Sequence, residues 1–458
     1  MLTYQDLEMI RSEQERMNFV QKCVDEHKGS FKYNFAVNAQ RYYDGQNPTI
    51  EKYEKIIYDA QGKAHIDMWT PNHKISTHFF TFAADQIINY LLSNGVSIDT
   101  DRLSPEFVYD LQFGALQAYI TGCSFLYPEL QRHQMGEVGK YRAAVFDTTN
   151  FAPIFDENTG MLRAGVRFWG IEGKSSLRFT LFEEDGFTEY IKRDKEQIEA
   201  MGAKQPYRTV SYTTDIDGTD VRPGEAFPGF PIVPLRNNKK MLSELMGRRS
   251  TIDALDLITS GMVNNTDEGT LMYWVLQNYG GMDALEDAKF LDELRKTRVL
   301  HVDGMDSKAE PHTLEQPVDT SQATIDMLTK RLYTDFQIFD ASAVSAGNQT
   351  ATAIKASYVP MDLRADKMER EITLCLLEFL RLIGVTGVVP TFTRNQLVNK
   401  QEEVQSILMA AQYLSDDYIT EKVLTVMGDV DRLDEVLTDR TRDDASKFDS
   451  LQDEEDVI

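Results

Sequence analysis

The chain has 458 residues, enough for two to four structural units, and 42% of them are hydrophobic, so it can bury a sizeable core. Its formal net charge is −25, which excludes a simple basic surface for tight binding of duplex DNA. The amino terminus lacks the pattern of a signal peptide and no apolar run approaches the ~20 residues that cross a bilayer, so we expect a soluble protein with no membrane partner.

The first third of the chain is predicted to be helical. Residues 3–27 are rich in helix formers, and residues 72–93 place apolar side chains close to the helical period, with Gly95 where a C-terminal cap belongs. A third helix is predicted at 104–121, because Ser104 and the proline after it suit an N-cap and a first turn.

From Gly122 the sequence changes to short segments rich in Phe, Tyr, Val, Thr and Trp, separated by polar turns. This pattern predicts an antiparallel sheet with strands at 122–130, 141–147, 163–170, 176–184 and 186–192. The next segment, 229–240, contains Pro231 and Pro234, which cannot donate to a ladder. We therefore expect it to be an edge strand or an extended connector.

Two long helices are predicted on either side of a mixed segment. Residues 240–268 and 318–339 carry apolar side chains at three- and four-residue steps, and the second has a narrow seam suited to packing against a neighbouring helix. The small polar residues 340–353 predict a loop.

The rest of the chain is predicted to be helical. A proline inside a helical pattern kinks or splits it, so we expect an interruption at Pro360 and a restart at Asp362. Further helices are predicted at 395–414 and about 417–437. An acidic tail follows, and the last 58 residues carry 17 Asp or Glu against 5 Lys or Arg.

The residues that could carry catalysis do not form a known pattern. The seven histidines lack metal-ligand spacing, and His73 and His78 lie five apart on the predicted helix, facing different sides. Residues 347–350 are the nearest approach to a phosphate-binding loop, but the Gly-Lys-Ser/Thr end is missing. We therefore predict no enzyme activity, no catalytic residue, no metal and no cofactor. The three cysteines, far apart, are expected to be reduced thiols; they are Cys23, Cys123 and Cys375.

Charged clusters allow two interpretations each. Acidic pairs are usually solvated surface, but could hold two metals in a nuclease; they are Glu183-Glu184, Glu402-Glu403, Asp416-Asp417 and Asp443-Asp444. The basic clusters are either solvated helix ends or contacts with passing DNA or a neighbouring subunit; they are Lys239-Lys240, Arg248-Arg249 and Lys330-Arg331.

Four segments match, in order and spacing, the motifs of one protein family. Residues 72–95 contain a run with Asp85, Gln86 and Tyr90, and 121–130 contains a Gly-x-Ser strand. Residues 230–268 lead from two prolines and Asn-Asn into a long helix. Residues 347–372 are similar to the corresponding segment of the family, except that Thr350-Ala351 replaces the usual Ser-Gly. Over most of residues 70–385 the chain resembles the portal proteins, or head-to-tail connectors, of long-tailed (siphophage-type) phages.

This resemblance implies an α+β, mainly helical fold with an α/β wing, a two-helix stem, a small α/β clip and a helical crown. The implied division of the chain is the first part of the wing at 1–240, the first stem helix at 241–270, the clip at 271–316, the second stem helix at 317–339, the tunnel loop at 340–351, the kinked wing helix at 352–390, and the crown with the acidic tail at 391–458.

The resemblance also implies a function. Family members form rings, typically of twelve subunits, at one capsid vertex, where the channel passes double-stranded DNA during packaging and ejection. The implied partners are the terminase large subunit, then head-completion or adaptor proteins, and the major capsid and scaffolding proteins. We therefore expect a virion protein that is made in the host bacterial cytoplasm.

Carried onto this sequence, the family's features give candidate site residues. The tunnel loop facing DNA would be Ser345, Ala346, Gly347, Asn348, Gln349 and Thr350. The clip surface that docks terminase or adaptor would include Tyr279, Gly280, Gly281, His301 and Asp303. Lys330 and Arg331 would line the channel and guide DNA weakly, while acidic rings keep it from adhering. The alternatives are a metal-dependent DNA-processing enzyme (a nuclease) and a static capsid or scaffold protein.

Overall fold

The computed structural model describes residues 2–58, 62–68, 70–131, 139–171, 173, 175–193, 197–207, 212–215, 218–221, 226–268, 273–277, 308–312, 318–342, 351–394, 400–429 and 432–438. The chain forms two compact units, Met1–Gly347 with Ala356–Arg394, and Asn348–Lys355 with Asn395–Ile458. Helices and strands are mixed and helices make up about half of the chain, which confirms the α+β prediction.

The described helices are numbered in chain order: α1 (Tyr4–Glu8), α2 (Glu13–Gly29), α3 (Phe31–Tyr43), α4 (Pro48–Glu51), α5 (Phe79–Leu92), α6 (Phe107–Thr121), α7 (Arg249–Glu268), α8 (Val318–Phe336), α9 (Ala351–Leu382), α10 (Lys400–Met409) and α11 (Asp416–Met427). No helix among the described residues is long and apolar enough to cross a membrane.

The described strands are β1 (Ile56–Tyr58), β2 (Ala64–Ile66), β3 (Val96–Ser97), β4 (Cys123–Gln131), β5 (Lys140–Asp147), β6 (Phe151–Phe155), β7 (Leu162–Gly170), β8 (Leu177–Phe182), β9 (Phe187–Lys192), β10 (Glu199–Ala200), β11 (Tyr212–Asp215), β12 (Gly218–Val221), β13 (Val233–Arg236), β14 (Tyr273–Gln277), β15 (Lys308–His312) and β16 (Thr391–Phe392). The two larger sheets are antiparallel, in the orders β10-β9-β8-β7-β6 and β13-β4-β5.

The predicted antiparallel sheet region is confirmed. Strand β13 lies at an edge of its sheet, where the missing N–H of Pro234 is tolerated, as the sequence predicted. Strand β6 was not predicted. Its short apolar sequence contains Pro153, and it too lies at an edge, where a proline breaks fewer ladder hydrogen bonds.

Local sequence explains how the first helices begin. Ser12 and Glu15 form a capping box at the start of α2, and Ser30 caps α3 by accepting a hydrogen bond from the N–H of Tyr33. Helix α2 then packs on the five-stranded sheet, where Val20 and Val24 belong to one apolar cluster with residues of β6 to β9. Burial of this amphipathic face, more than intrinsic propensity, stabilises the helix.

The helix predicted at 72–93 begins instead at Phe79, so that prediction is wrong in its first seven residues, about two turns. His78 precedes the helix with a φ of 51°, and residues 71–77 are extended. His73 and His78 therefore do not share a helix. The cause is a set of hydrogen bonds to α7, described below.

The predicted interruption at Pro360 is also wrong, because α9 is continuous from Ala351 to Leu382. Pro360 removes the hydrogen bond to the carbonyl of Ala356, but both residues are exposed, so water can satisfy that carbonyl. On the opposite face Met361, Met368 and other apolar side chains are buried, and this packing outweighs one lost hydrogen bond.

Candidate channel site: the two long helices and their anchorage

Helices α7 and α8, predicted as the stem pair, pack against each other. Arg248, just before α7, donates from Nε to the carbonyl of Asp335 at the end of α8 (2.7 Å), so the helices run antiparallel. Between them the chain forms the antiparallel strand pair of β14 and β15, in the predicted clip. Leu332 and Phe336 are fully buried in this region, and their spacing is the seam that the sequence predicted.

The first helix starts later than predicted. Residues 239–240 and 244–248 form turns, and α7 begins at Arg249 instead of residue 240. Asn238 holds the turns, since its side chain accepts from the N–H groups of Lys240 and Leu242 and donates to the Leu242 carbonyl. An asparagine that satisfies backbone groups locally competes with the helix.

An extended segment, residues 73–77, lies along α7 and is held by its polar side chains. The N–H groups of His73, Ile75 and Thr77 donate to Asn264 Oδ1 (2.7 Å), Ser260 Oγ (2.9 Å) and Asp256 Oδ1 (3.0 Å) respectively. Successive donors are two residues apart on an extended chain, which spans about 6.6 Å, and successive acceptors are four residues apart on a helix, which spans about 6 Å. Because these spacings are nearly equal, each donor lies opposite an acceptor. We name this segment the strap. These hydrogen bonds explain why residues 72–78 are not helical.

Asp256 is the buried end of the strap contact. Its carboxylate accepts from Thr77 Oγ1 (2.7 Å) as well as the Thr77 N–H, and from Asn47 Nδ2 (2.8 Å). Burial raises the pKa of this carboxyl, and these hydrogen bonds oppose that effect only in part. Thr77 and Asn47, the donors to the Asp256 carboxylate, are uncharged, and we interpret the contact as structural: it holds the strap on α7.

A buried ionic network lies at the base of α7. Glu244 accepts from Arg364 of α9 (3.0 Å) and from Asn237 (2.9 Å), and it also pairs with Arg248 (3.0 Å). Burial alone would raise the pKa of Glu244, but Arg364 and Arg248 more than compensate and the net effect is to lower it. Because Arg248 also reaches Asp335, this network joins α9, the base of α7 and the end of α8.

The interpretation of the Arg248-Arg249 pair as a solvated helix end is wrong for Arg248. Arg248 lies in the network and over the ring of Phe336 (5.1 Å), and Arg249 contacts Tyr42 and Asp253. Both guanidinium groups therefore contact other residues of the same chain. Lys239 and Lys240, by contrast, are exposed.

One of the acidic pairs also departs from its solvated interpretation. Glu183 is buried and pairs with Arg16 (2.8 Å) and Lys204 (3.0 Å), whereas Glu184 is partly exposed. Within the described ranges, no group of three or more His, Cys, Asp or Glu side chains could hold a metal.

Gln86, a residue of the family motif, holds the backbone directly before the predicted tunnel loop. Its Nε2 donates to the carbonyl of Phe339 and its Oε1 accepts from the N–H of the same residue, both at 3.0 Å. Phe339 stacks on Tyr358 with ring centroids 4.2 Å apart, and Tyr358 stacks in turn on Tyr90. The two ends of the segment 340–357 are thus brought together.

The last residues of the first unit are fixed by ion pairs. Arg394 follows β16 and contacts three carboxylates of α9, those of Asp362 (3.0 Å), Asp366 and Glu369 (2.8 Å). Tyr90 donates to Asp362 as well.

The predicted basic pair lies on the outer face of α8. Lys330 and Arg331 are exposed, and Arg331 makes one long ion pair with Asp335 (3.5 Å). Asp319 and Asp326 are exposed on the same helix. The placement agrees with a surface role, and contact with DNA stays a prediction.

The other predicted site residues fall outside the described part of the chain. They are Ser345, Ala346, Gly347, Asn348, Gln349, Thr350, Tyr279, Gly280, Gly281, His301 and Asp303. The sequence analysis missed Arg364 and Glu244. A signal existed for Arg364, because Met361 and Met368, three residues before it and four after it on α9, are apolar and buried.

The chain is similar to known portal proteins over most of its length. Residues 22–446 match the family described as "Phage portal protein, SPP1 Gp6-like". The portal protein of Bacillus phage SPP1 is 27% identical over 415 residues, covering 85% of this chain and 79% of that protein. The portal protein of Clostridium phage phiCD119 is 21% identical over 400 residues, covering 80% and 84%.

Among solved structures, a chain from the neck of a native GTA particle, computed with C12 symmetry, is 12% identical with a TM-score of 0.41, covering 76% of this chain and 89% of that one. The family match spans both described units and confirms the resemblance found in the sequence. The chain therefore belongs to the SPP1 Gp6-like family of phage portal proteins.

Proposed function

We propose that this portal protein forms a closed ring of twelve subunits at one capsid vertex, with the stem helices around a central DNA channel. The single observation that carries this arrangement is the antiparallel pair of α7 and α8, with the paired strands β14 and β15 in the segment that joins them. A portal of this family serves DNA packaging and ejection. A heterologous contact repeated between subunits closes into such a ring.

The parts of the portal fold are assigned along the chain. The wing comprises residues 1–240 and 352–390, and the stem comprises 241–270 and 317–339. The clip is 271–316, the tunnel loop is 340–351, and the crown is 391–458, which includes α10 and α11. The two described units support one boundary of this scheme, since the first ends at Arg394.

The tunnel loop is proposed to face the DNA with Ser345 to Thr350. The contacts at its two ends support this role. Gln86 fixes Phe339, and Phe339 stacks on Tyr358, so the loop leaves from and returns to one place. Fixed ends let a loop change its conformation without moving the helices around it.

The channel wall is proposed to be acidic, with weak basic guidance. Affinity for DNA comes largely from neutralised phosphates, so a wall that bears carboxylates such as Asp319 and Asp326 lets DNA slide. Lys330 and Arg331 share that exposed face, and Arg331 is already partly neutralised by Asp335. They would attract the duplex without holding it.

The clip is proposed to dock the terminase large subunit during packaging and head-completion or adaptor proteins afterwards, through Tyr279, Gly280, Gly281, His301 and Asp303. Wing and crown would contact the major capsid and scaffolding proteins. The protein would then be a structural component of the virion, made in the host cytoplasm, with no cofactor and no catalytic role.

Electron microscopy of the purified protein, with its native mass, tests the ring. Twelve copies of a 52.3 kDa chain give about 630 kDa, and class averages count the subunits around the channel. Particles that stay monomeric or dimeric at every concentration and salt would contradict the proposal.

Packaging and ejection rates test the guidance by Lys330 and Arg331. Replacing both by Ala should slow DNA movement at low salt and have less effect at high salt, because exposed charges are screened beyond about 8–10 Å. A matched control is Lys22→Ala with Arg193→Ala, exposed cations of the wing that also have acidic partners. Packaging and ejection rates equal to those of the control variant would contradict guidance by Lys330 and Arg331.

A further inference from the structure

Helix α9 exposes a long apolar face. Four aliphatic side chains lie on the side opposite to its buried face; they are Val359, Leu363, Leu374 and Leu377. Leu363 and Leu374 are 54% and 59% exposed, and the stripe is about 27 Å long at the helical rise of 1.5 Å per residue. Val359 with Leu363 and Leu374 with Leu377 thus form two exposed apolar pairs on one side of the helix, and such a concentration of exposed apolar surface favours an interaction site.

The same face carries positive charge. Lys367 and Arg370 are exposed between Leu363 and Leu374, and within the described part of the chain neither forms an ion pair. A groove of about 460 Å³ beside Leu374 is lined by apolar residues such as Ile232 and by charged residues of both signs, such as Glu371 and Arg381. Apolar side chains interspersed with charged ones, Arg in particular, are typical of protein interfaces.

Helix α6 exposes a second apolar face, and this one is aromatic. Tyr109 is 73% exposed and Phe113 45%, and Leu116 is half-buried next to them on the helix surface. Glu106, one turn earlier, lies at the edge of this face; it makes a long ion pair with Arg142 (3.6 Å), and its side chain remains 62% exposed. An accessible carboxylate thus lies at the edge of the α6 face, whereas exposed cations lie on the α9 face.

The two faces point in opposite directions. Helices α6 and α9 meet through Phe107 and Phe379, whose ring centroids are 5.1 Å apart. At about 100° per residue, Tyr109 and Phe113 lie about 200–240° around α6 from Phe107, and Leu374 and Leu377 lie about 160–220° around α9 from Phe379. The two faces cannot meet within one chain, but the face of one copy can meet that of the next.

We propose that the α9 face (Val359, Leu363, Lys367, Arg370, Leu374 and Leu377) binds the α6 face (Tyr109, Phe113 and Leu116, with Glu106) of the next copy of this chain. This rests on the proposed ring function and names the surface that builds the ring. Unlike faces on opposite sides of one subunit make a head-to-tail contact, which closes into a ring instead of stopping at a dimer. Aromatic side chains and Arg, the residues that dominate interface energies, lie at its centre.

Cysteine cross-linking in the full chain tests the contact. The native thiols of Cys23, Cys123 and Cys375 are buried, so a maleimide should react only with introduced cysteines. The double variant Phe113→Cys with Leu374→Cys, treated with a short bis-maleimide, should give a ladder of covalent oligomers up to the ring size. Either single variant alone should give monomers.

Mixing the two single variants sharpens the test. A head-to-tail contact then links one Phe113→Cys chain to one Leu374→Cys chain and stops, so only covalent dimers should form. As a control, Met9→Cys with Met68→Cys introduces thiols at sites that are 74% and 88% exposed but lie outside both faces. This control should give monomers only.

Four outcomes would overturn the proposal. Rings seen by microscopy without a ladder would reject these faces and leave the ring intact. Cross-linking of a single variant to itself would show a symmetric contact. If the thiol of the Leu374→Cys variant is protected from maleimide only in assembled heads, and not in isolated rings, the α9 face binds another capsid component instead. Absence of any ring would reject both this contact and the proposed function.

Discussion

Replacing Arg364 with Met should destabilise the joint between α9 and the stem. Met keeps most of the side-chain volume, so the change removes the charge and its hydrogen bonds without opening a large cavity. Arg364 is 4% exposed and contacts both Glu244 and Asn237. Breaking a buried ion pair by removing one partner costs about 3–5 kcal/mol, and we expect a value near 3 because Arg248 still faces Glu244.

Hydrogen exchange in the full chain measures this loss locally. A loss of about 3 kcal/mol in opening free energy corresponds to roughly 150-fold faster exchange at about 1.4 kcal/mol per tenfold change. Peptides that cover residues 237–250 and 356–372 should show it. The control is Arg331→Met, which removes an exposed i,i+4 pair worth about 0.3–0.5 kcal/mol, a change of about twofold. Equal exchange in the two variants would refute the reasoning.

The pH dependence of the same variant gives an independent check. In the wild type the pKa of Glu244 is lowered, so its stabilising effect is complete above its unfolded value of about 4.5 and is lost as the pH falls through the lower folded value. Without Arg364, burial favours the protonated carboxyl, so the variant loses less stability on acidification than the wild type does. The gap between them should therefore narrow below about pH 4.5.

Two more substitutions test named contacts. Gln86→Leu leaves the buried N–H and carbonyl of Phe339 unpaired, which costs about 1–3 kcal/mol of stability per group, and it should speed hydrogen exchange at residues 338–342. The control Gln112→Leu loses one exposed hydrogen bond to Asn89 and should not change the exchange there. Gly122→Ala should lower the unfolding midpoint by the equivalent of about 1–3 kcal/mol, because φ is 98° and the new Cβ would lie 2.7 Å from Leu242. Gly160→Ala has a positive φ in open space and should cost less.

The sequence predicts most of the regular elements because their hydrophobic periods are local. The strands after Gly122 and the two long helices follow from alternation and from three- and four-residue spacing, and the family follows from the order of short motifs. In α8 the seam that ends at Leu332 and Phe336 is buried as its spacing indicates.

The errors arise where a distant part of the chain decides the local structure. The apolar spacing of residues 72–78 favours a helix, but Ser260 and Asn264, almost 190 residues later, bind the strap's backbone and keep it extended. Arg248 resembles a surface residue because the sequence around it does not show that Arg364 of α9 is buried beside Glu244. Periodicity cannot report such partners, since it contains no information on contacts between distant residues.

Polar contacts hold α7 and α8, the proposed stem, to the proposed wing at three separate points, and a ring would require such contacts. The strap lies along α7, the Glu244 network fixes its base, and Gln86 fixes the chain after α8. Apolar burial stabilises without strong directional preference, whereas hydrogen bonds fix register and angle. A head-to-tail ring closes only if every subunit repeats the same rotation, so small errors in stem direction would accumulate around it. Directional contacts at the junction of wing and stem are therefore where this fold needs them most.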